Sequence, residues 1–363
     1  MKKGKTITEL AQELEDIRRN AKDLIVPTQK MRMETHDGKN VLTLNNGEVF
    51  YPTAWSHQQI STYSDIPKAY YNRINSENPG LLSASINHGF AMAVQKALES
   101  KRVHGSRMLR TINGNIRGFL SSKYRRLDCW DLLDTTFPVL MDHRFKIISA
   151  ELTEKRMYLK AVTDRVQAEV KKGMVVQFGL SISSSDVGAG SVQVNPLMYE
   201  LVCDNGAIME SAVRKFHIGK NLGSDSIEEL LTDETKALDD KAFWHKIRDV
   251  VIGSMRPEIF QHNVNKLRVA EQEKLMSFDI PKIVNLTMKE VGVSGERHKD
   301  NIVSYLAQGA DGRGWNRWSL ANAFTWAAQA EDATYEEATE LERAGGKILE
   351  LPRNRWYPLS KAA

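Results

Sequence analysis

The chain has 363 residues, of which 41% are hydrophobic and 26% charged, a composition typical of a soluble globular protein with two domains or one large α+β unit. Lys and Arg number 50 against 46 Asp and Glu, and the resulting net charge of +4 excludes a histone-like polycation. No run approaches the roughly 18 apolar residues that span a bilayer. The basic start is followed by no apolar stretch, so a secretory signal is not predicted.

The N-terminal part of the chain is predicted to mix helices and strands. Apolar residues at spacings of three and four predict an amphipathic helix at 6–25. Residues 40–53 predict strands around an Asn-Asn-Gly turn. Three further helices are predicted, at 56–63, 67–76 and 82–99.

A β-hairpin is predicted at 107–121, because two β-prone arms flank Asn113-Gly114, a pair favoured in type I′ turns. A helix should follow at 129–138. Four strands should come next, and Pro196, which lies in the last of them, predicts a break or an edge there. Those strands are predicted at 143–152, 155–163, 174–183 and 190–203.

From about residue 225 onward the apolar spacing is helical. The predicted helices are 226–254, 256–276, 282–291, 298–308, 316–329 and 334–349. Asn316 and Asp332 are candidate N-caps, and Gly345-Gly346 should end or break the last helix.

The predicted fold class is α+β: a mixed β-hairpin and helix N-terminal part with an antiparallel sheet, followed by an α-helical C-terminal part. The predicted domains are an α+β core domain with a basic hairpin at 1–220 and a helical domain at 221–363. Their junction is expected between Gly219 and Ser226.

Motifs for redox, metal or nucleotide chemistry are missing from the sequence. Two cysteines, Cys129 and Cys203, are too few for a disulfide scaffold or a four-cysteine zinc site. None of the nine histidines lies in an H-E-x-x-H or C-x-x-C context, and there is no G-x-x-x-x-G-K-[ST] loop. We therefore expect a reduced, cytoplasmic protein without an assigned catalytic residue, cofactor or metal.

Positive charge is concentrated in one window. Residues 101–126 contain eight basic residues and no acidic one, and six of the eight are Arg, whose guanidinium suits phosphate contacts. These basic residues alternate with residues that favour β-strands, so they should lie on ordered structure. The alternative is that they form a solvated charged surface without a ligand. Residues 225–240 contain seven acidic residues and one Lys, which predicts the exposed face of a helix.

A binding groove for a nucleic-acid single strand needs cations on rigid strands and aromatic side chains for stacking. Phe119 lies within the basic window, where core packing is the favoured role. Tyr124 suits either role equally. The predicted nucleic-acid-binding residues are Lys101, Arg102, Arg107, Arg110, Arg117, Lys123, Tyr124, Arg125, Arg126, Lys171, Lys172, Arg214 and Lys215.

Three segments together resemble a phage- and plasmid-borne family of domains of unknown function, number nine-three-two. The first is LRTINGNIRGFLSSKYRRLD at 109–128; the second, at 181–208, contains Ser185-Asp186-x-Gly188 and Cys203-x-Asn205-Gly206; the third contains Asn322-Ala323-x-Thr325 and Glu342-x-Ala344-Gly345. The sequence departs from the family pattern at Asp186, where Glu is expected, and at Asp204, where Thr is expected.

The resemblance implies a mobile element, a phage, prophage or plasmid, in a bacterial host cell. The order of hairpin, helix and strands is also similar to the core of single-strand annealing proteins of the Rad-fifty-two and Red-beta type, which is an analogy of fold alone. The first functional hypothesis is therefore a nucleic-acid-binding protein that anneals single-stranded DNA without ATP and self-associates into rings or filaments.

Two other functions remain open at this point. One is a protein-binding anti-defence or accessory factor without DNA activity, in which the basic window would meet an acidic partner. The other is a metal-dependent nuclease, which needs carboxylates clustered around a cation, with Asp186 as the first candidate. For Asp186 a place in a loop turn is favoured, and for Cys203 that of a buried small hydrophobic residue.

Overall fold

The computed structural model describes residues 1–99, 105–201, 204–209, 232–308 and 314–361. These residues form twelve α-helices and eleven strands, with the strands in two sheets, which confirms the α+β class. Within the same residues, no helix combines the length and the apolar character needed to cross a bilayer.

The first sheet has six strands in the order β1-β5-β6-β4-β3-β2. Neighbouring strands run antiparallel except β4 and β6, which are parallel, so the sheet is mixed. Its strands are β1 (Ala21–Pro27), β2 (Met31–His36), β3 (Lys39–Leu44), β4 (Val49–Pro52), β5 (Ser106–Ile112) and β6 (Asn115–Ser121). Helices α1 (Ile7–Asn20), α2 (Ala54–Tyr63), α3 (Lys68–Glu77) and α4 (Pro79–Glu99) precede the hairpin.

The predicted hairpin is confirmed as β5 and β6. Asn113 and Gly114 have φ of 47° and 77°, the two positive values that a type I′ turn requires. The strand register passes from Arg110 opposite Gly118 to Thr111 opposite Ile116, which leaves Arg117 as the extra residue of a β-bulge. A bulge turns its extra side chain away from the regular alternation.

The second sheet has five antiparallel strands in the order β11-β10-β9-β8-β7. Helix α5 (Cys129–Asp142) leads into it. The strands are β7 (Lys146–Leu152), β8 (Met157–Lys171), β9 (Met174–Ser184), β10 (Gln193–Glu200) and β11 (Asn205–Ile208). Pro196 does not break β10. It lies one residue beyond the last residue paired with β11, and its carbonyl accepts the N–H of Met209 at 2.9 Å, so β10 stays bonded on this side without an N–H from the proline.

The C-terminal part is helical, as predicted. Its helices are α6 (Asp233–Ser254), α7 (Pro257–Gln272), α8 (Ile280–Val291), α9 (Glu296–Ala307), α10 (Arg317–Ala327), α11 (Tyr335–Glu350) and α12 (Arg353–Ser360). Asn316 caps α10, as expected, whereas Thr334 rather than Asp332 caps α11. Helix α12 was not predicted.

Two large hydrophobic cores organise these elements, and a third, minor cluster contains Val162, Leu197 and Ile208. The smaller core packs the first sheet against α2, α3 and α4, and its residues lie between Val26 and Phe119. The larger core joins the second sheet to α1, α5 and the C-terminal helices, from Leu10 to Trp356. The boundary predicted near residue 220 lies outside the described residues.

A buried ion pair joins the second sheet to α11. Lys160 Nζ on β8 lies 2.5 Å from Glu342 Oε2, and both side chains are fully buried. The ammonium also lies 4.6 Å from the ring centroid of Tyr335, whose hydroxyl is 2.6 Å from Ser149 Oγ. Burial lowers the pKa of Lys160, and the neighbouring carboxylate of Glu342 opposes that shift.

The sequence-based prediction was wrong at residues 21–25, which form β1 instead of extending α1. Helix α1 ends at Asn20, and residues 21–27 pair with β5 in an unbroken antiparallel register. The β-branched Ile25-Val26 pair and Pro27 favour this strand over a further helical turn.

Gly345-Gly346 neither ends nor breaks α11, which continues to Glu350. A Cβ at Gly346 would lie 1.9 Å from the carbonyl oxygen of Ile208 in β11, and one at Gly345 would lie 2.5 Å from Thr325 Cγ2 in α10. The two glycines therefore allow α11 to pack closely against a strand on one side and a helix on the other.

We expect Gly346→Ala to lower the free energy of unfolding by at least about 2 kcal/mol, because overpacking against a backbone carbonyl outweighs the higher helix propensity of Ala. Gly253→Ala in α6 is the matched control, since its Cβ would meet nothing within 4 Å. The control should be neutral or slightly stabilising. Urea unfolding followed by circular dichroism measures both, and equal effects would contradict the packing explanation.

Candidate functional site

A groove of about 600 Å³ opens between α2 and β6. Its lining combines aromatic rings, amides and two cations, Lys68 and Arg107. Of the described residues that line it, none is acidic. The lining residues are Trp55, Gln58, Gln59, Thr62, Tyr63, Lys68, Arg107, Phe119, Leu120, Ser121 and Gly188.

Arg107 is held in this groove by aromatic rings. Its guanidinium carbon lies 4.5 Å from the ring centroid of Tyr63 and 5.1 Å from that of Phe119, and one terminal nitrogen donates to the Phe119 carbonyl at 3.2 Å. Its buried Nε has no hydrogen-bond partner among the residues that the structure describes. Burial lowers the pKa of Arg107, but a guanidinium stays charged at neutral pH.

The groove wall is fixed by hydrogen bonds from α2. Trp55 Nε1 and Gln59 Nε2 both donate to the carbonyl of Val187 at 2.8 Å, and Gln59 Oε1 accepts the Phe119 N–H at 2.7 Å. Lys155 Nζ lies 5.6 Å from the Trp55 ring centroid, and the Glu154 carboxylate accepts the Trp55 backbone N–H at 2.6 Å, so one cation and one anion lie beside the groove. The Trp55 ring and the Gln59 amide are therefore held in place at the groove wall.

A second groove, of about 590 Å³, lies between α5 and α6 and differs in charge. Its lining includes Asp131, Asp142 and Asp240 together with Lys241 and Arg248. Opposite charges close together partly cancel, so this groove offers a polyanion no comparable field. The α2–β6 groove is the better candidate site for a polyanion.

Arg110, a predicted phosphate contact, instead lies in the interior. It donates to Asp23 Oδ1 at 2.9 Å, to Asp128 Oδ1 at 2.7 Å and to the carbonyl of Asp186 at 2.7 Å, and only 4% of the residue is exposed. Burial alone would lower the pKa of Arg110, but Asp128, with Asp186 and Asp23, raises it above its usual value. Its charge is already neutralised by acidic residues.

Arg117 and Tyr124 also bind groups of the loop between β9 and β10. Arg117, the residue at the bulge, pairs with Asp186 Oδ2 at 2.9 Å. The hydroxyl of Tyr124 donates to the carbonyl of Ser185 at 3.2 Å, and burial raises the pKa of Tyr124 to about 12. Arg110, Arg117 and Tyr124 thus hold the loop between β9 and β10 against the hairpin.

The other predicted site residues are dispersed. Arg125 pairs with Asp239 and Asp240 of α6, and Lys171 pairs with Glu271 of α7 at 2.7 Å. Arg126 is 59% exposed in its side chain and lies 3.4 Å from Asp23. Lys123 and Lys172 are exposed. Lys101, Arg102, Arg214 and Lys215 lie outside the described residues, as does Cys203.

The basic window does not form a single basic face. Arg107 lies on the side of the first sheet that packs against α2, whereas Arg110 lies on the side that faces Asp186. Side chains alternate across a strand, and positions three apart therefore point to opposite faces. Arg107 and Arg110, both predicted to bind nucleic acid, therefore do not share one groove.

The carboxylates around the hairpin form ion pairs with arginines. Asp186 is buried and paired with Arg117, as the expectation of a structural loop role implies. Within the described ranges, no group of three or more His, Cys, Asp or Glu side chains is placed to hold a metal ion. Phe119 is 1% exposed, which confirms its predicted place in the core.

The sequence analysis assigned only Arg107 of the groove lining to the site, and the residues that it missed include Trp55, Tyr63 and Lys68. Trp55 and Tyr63 lie eight residues apart on α2, and Lys68 begins α3. A signal was present, because two aromatic residues at that spacing lie on one face of a helix. Nothing in the local sequence connects that face with Arg107, which follows about forty residues later.

Comparison of the chain with protein-family models, with curated proteins and with solved structures gives no match. The family resemblance described above therefore stays a hypothesis. The three segments that carry it do meet in the fold: Arg110 of the first donates to the carbonyl of Asp186 in the second, and Asn322 of the third donates to Glu200 Oε2 of the second at 3.0 Å.

We expect Arg110→Met to lower the free energy of unfolding by about 3 kcal/mol, because it removes the main counter-charge of the largely buried Asp23 and the donor to the carbonyl of Asp186. Arg126→Met, at an exposed pair with the same Asp23, should cost less than about 1 kcal/mol. Thermal and urea unfolding measure the difference. If Arg110→Met were as stable as Arg126→Met, the ion-pair cluster would not have the structural role assigned to it.

Proposed function

We propose that this chain binds single-stranded nucleic acid, with DNA favoured, in the α2–β6 groove. The observation that carries the proposal is the fixed position of the Arg107 guanidinium against Tyr63 and Phe119 in a groove without acidic lining among the described residues. Cations that follow the phosphates and aromatic faces that stack on bases are the two requirements of single-strand binding.

Unpaired bases suit this groove better than a duplex does. Stacking on Trp55 needs a free base face, which a paired and stacked base does not offer. Three cations, Lys68, Arg107 and Lys155, lie in or beside the groove. If each meets one phosphate, the logarithm of the binding constant should fall with the logarithm of salt concentration at a slope of about −2.

The biological role that we propose is strand annealing without ATP in a phage, prophage or plasmid of a bacterial host. It is supported by the missing nucleotide-binding loop and by the resemblance of the three segments. Binding one strand along its backbone leaves base edges available for a complementary strand.

A second candidate is a protein-binding accessory factor without nucleic-acid activity. Phe278 favours it: this residue is 83% exposed and contacts Trp315 edge to face, with ring centroids 5.4 Å apart. Exposed aromatic side chains are typical of protein contacts. Recovery of one stoichiometric protein partner, together with no affinity for single strands at low salt, would favour this candidate.

Lys68→Glu should weaken binding to a labelled single strand by at least about tenfold and reduce the magnitude of the salt slope by about 0.7 or more. An acidic residue at the first position of α3 interacts favourably with the helix dipole, so unfolding is not expected to cause the loss. Fluorescence anisotropy over a salt series measures both quantities.

Lys172→Glu is the matched control, because it makes the same charge change at an exposed turn between β8 and β9. It should leave the affinity within about twofold. Equal losses from the two variants would mean that overall charge, rather than the groove, governs binding.

Trp55→Ala should weaken single-strand binding by about 1–3 kcal/mol, the usual contribution of one stacked base, while Trp55→Phe should retain most of the affinity. Both variants lose the hydrogen bond to Val187, so the comparison isolates the aromatic face. Anisotropy measures affinity and thermal unfolding checks the fold. Equal affinities of the Ala and Phe variants would show that Trp55 does not stack on a base.

A further inference from the structure

The edge strands of the two sheets differ in whether other parts of the chain form hydrogen bonds to them. On β2, the side chain of Asn87 in α4 accepts the Met33 N–H at 2.7 Å and donates to the Met33 carbonyl at 2.8 Å. On β7, the backbone N–H of Lys5 donates to the carbonyl of Ala150 at 2.7 Å. Protein side chains or backbone thus occupy these two edges, which limits their pairing with another chain.

The edge of β1 is open in the part of the chain that the structure describes. The hydrogen bond from Thr28 N–H to the Gly105 carbonyl, at 2.8 Å, fixes the alternation of the β1–β5 ladder. Leu24 and Val26 therefore bond to β5, while the backbone groups of Asp23 and Ile25 face outward. The described residues make no hydrogen bond to those outward groups, and Ile25 is 61% exposed.

We propose that β1 pairs with β1 of a second copy of this chain, antiparallel and about a two-fold axis at Leu24. Asp23 then lies opposite Ile25 of the second copy, and the reverse pair forms by symmetry. The two pairs exchange four backbone hydrogen bonds and join the two six-stranded sheets into one sheet of twelve strands.

Two neighbouring registers are less favourable. An axis at Asp23 places the two Asp23 residues directly opposite each other, and like charges opposite each other destabilise a sheet. An axis at Ile25 places Pro27 opposite Asp23, and Pro27 has no N–H to donate. The axis at Leu24 instead brings the two Leu24 side chains together at the closer, non-hydrogen-bonded position.

The partner is a second copy because this edge complements itself. Ile25 is exposed and Leu24 is half-buried, and the two-fold axis brings these apolar residues of the two copies together. Growth into a ring or filament through this sheet would require the β2 edge, which Asn87 occupies. The assembly through β1 is therefore a closed dimer, and its small paired segment predicts micromolar affinity.

Sedimentation velocity of nucleic-acid-free protein, from about 1 to about 200 µM, tests the proposal by the dependence of mass on concentration. Ile25→Pro removes an outward N–H without removing a bond to β5, which is a position where an edge strand tolerates Pro. We expect dimerisation at least about tenfold weaker than in wild type. Ile25→Val is the matched control and should dimerise like wild type.

Leu24→Cys tests the register. Cysteines opposite each other at a non-hydrogen-bonded antiparallel position are within disulfide reach, so oxidation should give a covalent dimer, whereas Lys22→Cys should not. Wild-type protein that stays monomeric over the whole range, or equal dimerisation of Ile25→Pro and Ile25→Val, overturns the proposal. The proposal is also overturned if the protein stays monomeric but binds a peptide of residues 21–27. The β1 edge would then accept an extended peptide rather than a second copy of the chain.

Discussion

The structure depends first on Arg110. One buried guanidinium joins Asp23 on the edge strand β1, Asp128 at the start of α5 and the carbonyl of Asp186 in the loop between β9 and β10. These partners belong to the first sheet, to the helix that follows the hairpin and to the second sheet, so one side chain fixes how the two sheets meet. Removing a charge from water is costly, and only several good hydrogen bonds offset that cost. The same bonds leave Arg110 unable to serve a ligand, and the groove on the opposite face of the hairpin depends on Arg107 instead.

Local patterns were sufficient for most of the fold. The Asn113-Gly114 turn identified its hairpin because only a few residues adopt two consecutive positive φ values easily, and apolar spacing identified the C-terminal helices. The failures occurred where distant partners override local preference. Residues 21–25 continue a helical spacing, yet their pairing with β5 makes them a strand. Gly345-Gly346 has poor helix propensity, yet the space beside Ile208 and Thr325 requires residues without a Cβ.

The candidate site was harder to predict, for an electrostatic reason. The basic window was identified correctly as a concentration of charge, but a sequence does not reveal which charges are neutralised in the fold. Asp23 lies 87 residues before Arg110, and Asp186 lies 69 residues after Arg117. Only the folded chain shows that these pairs meet. Arg107 has no acidic neighbour in its groove lining, and its aromatic partner Tyr63 comes from a helix that precedes the basic window.

The Lys160–Glu342 pair limits which C-terminal helices could replace α11 in this fold. Lys160 lies on β8 of the second sheet, Glu342 lies in the next-to-last helix, and neither side chain is exposed. A different helix that covered this sheet face without an acidic residue would leave the Lys160 ammonium buried, without the carboxylate that offsets its desolvation. A replacement helix would need an acidic residue at the same depth and glycines at the same close contacts. The second sheet and α11 therefore depend on each other, and substitutions at their contacts preserve folding only when both sides change together.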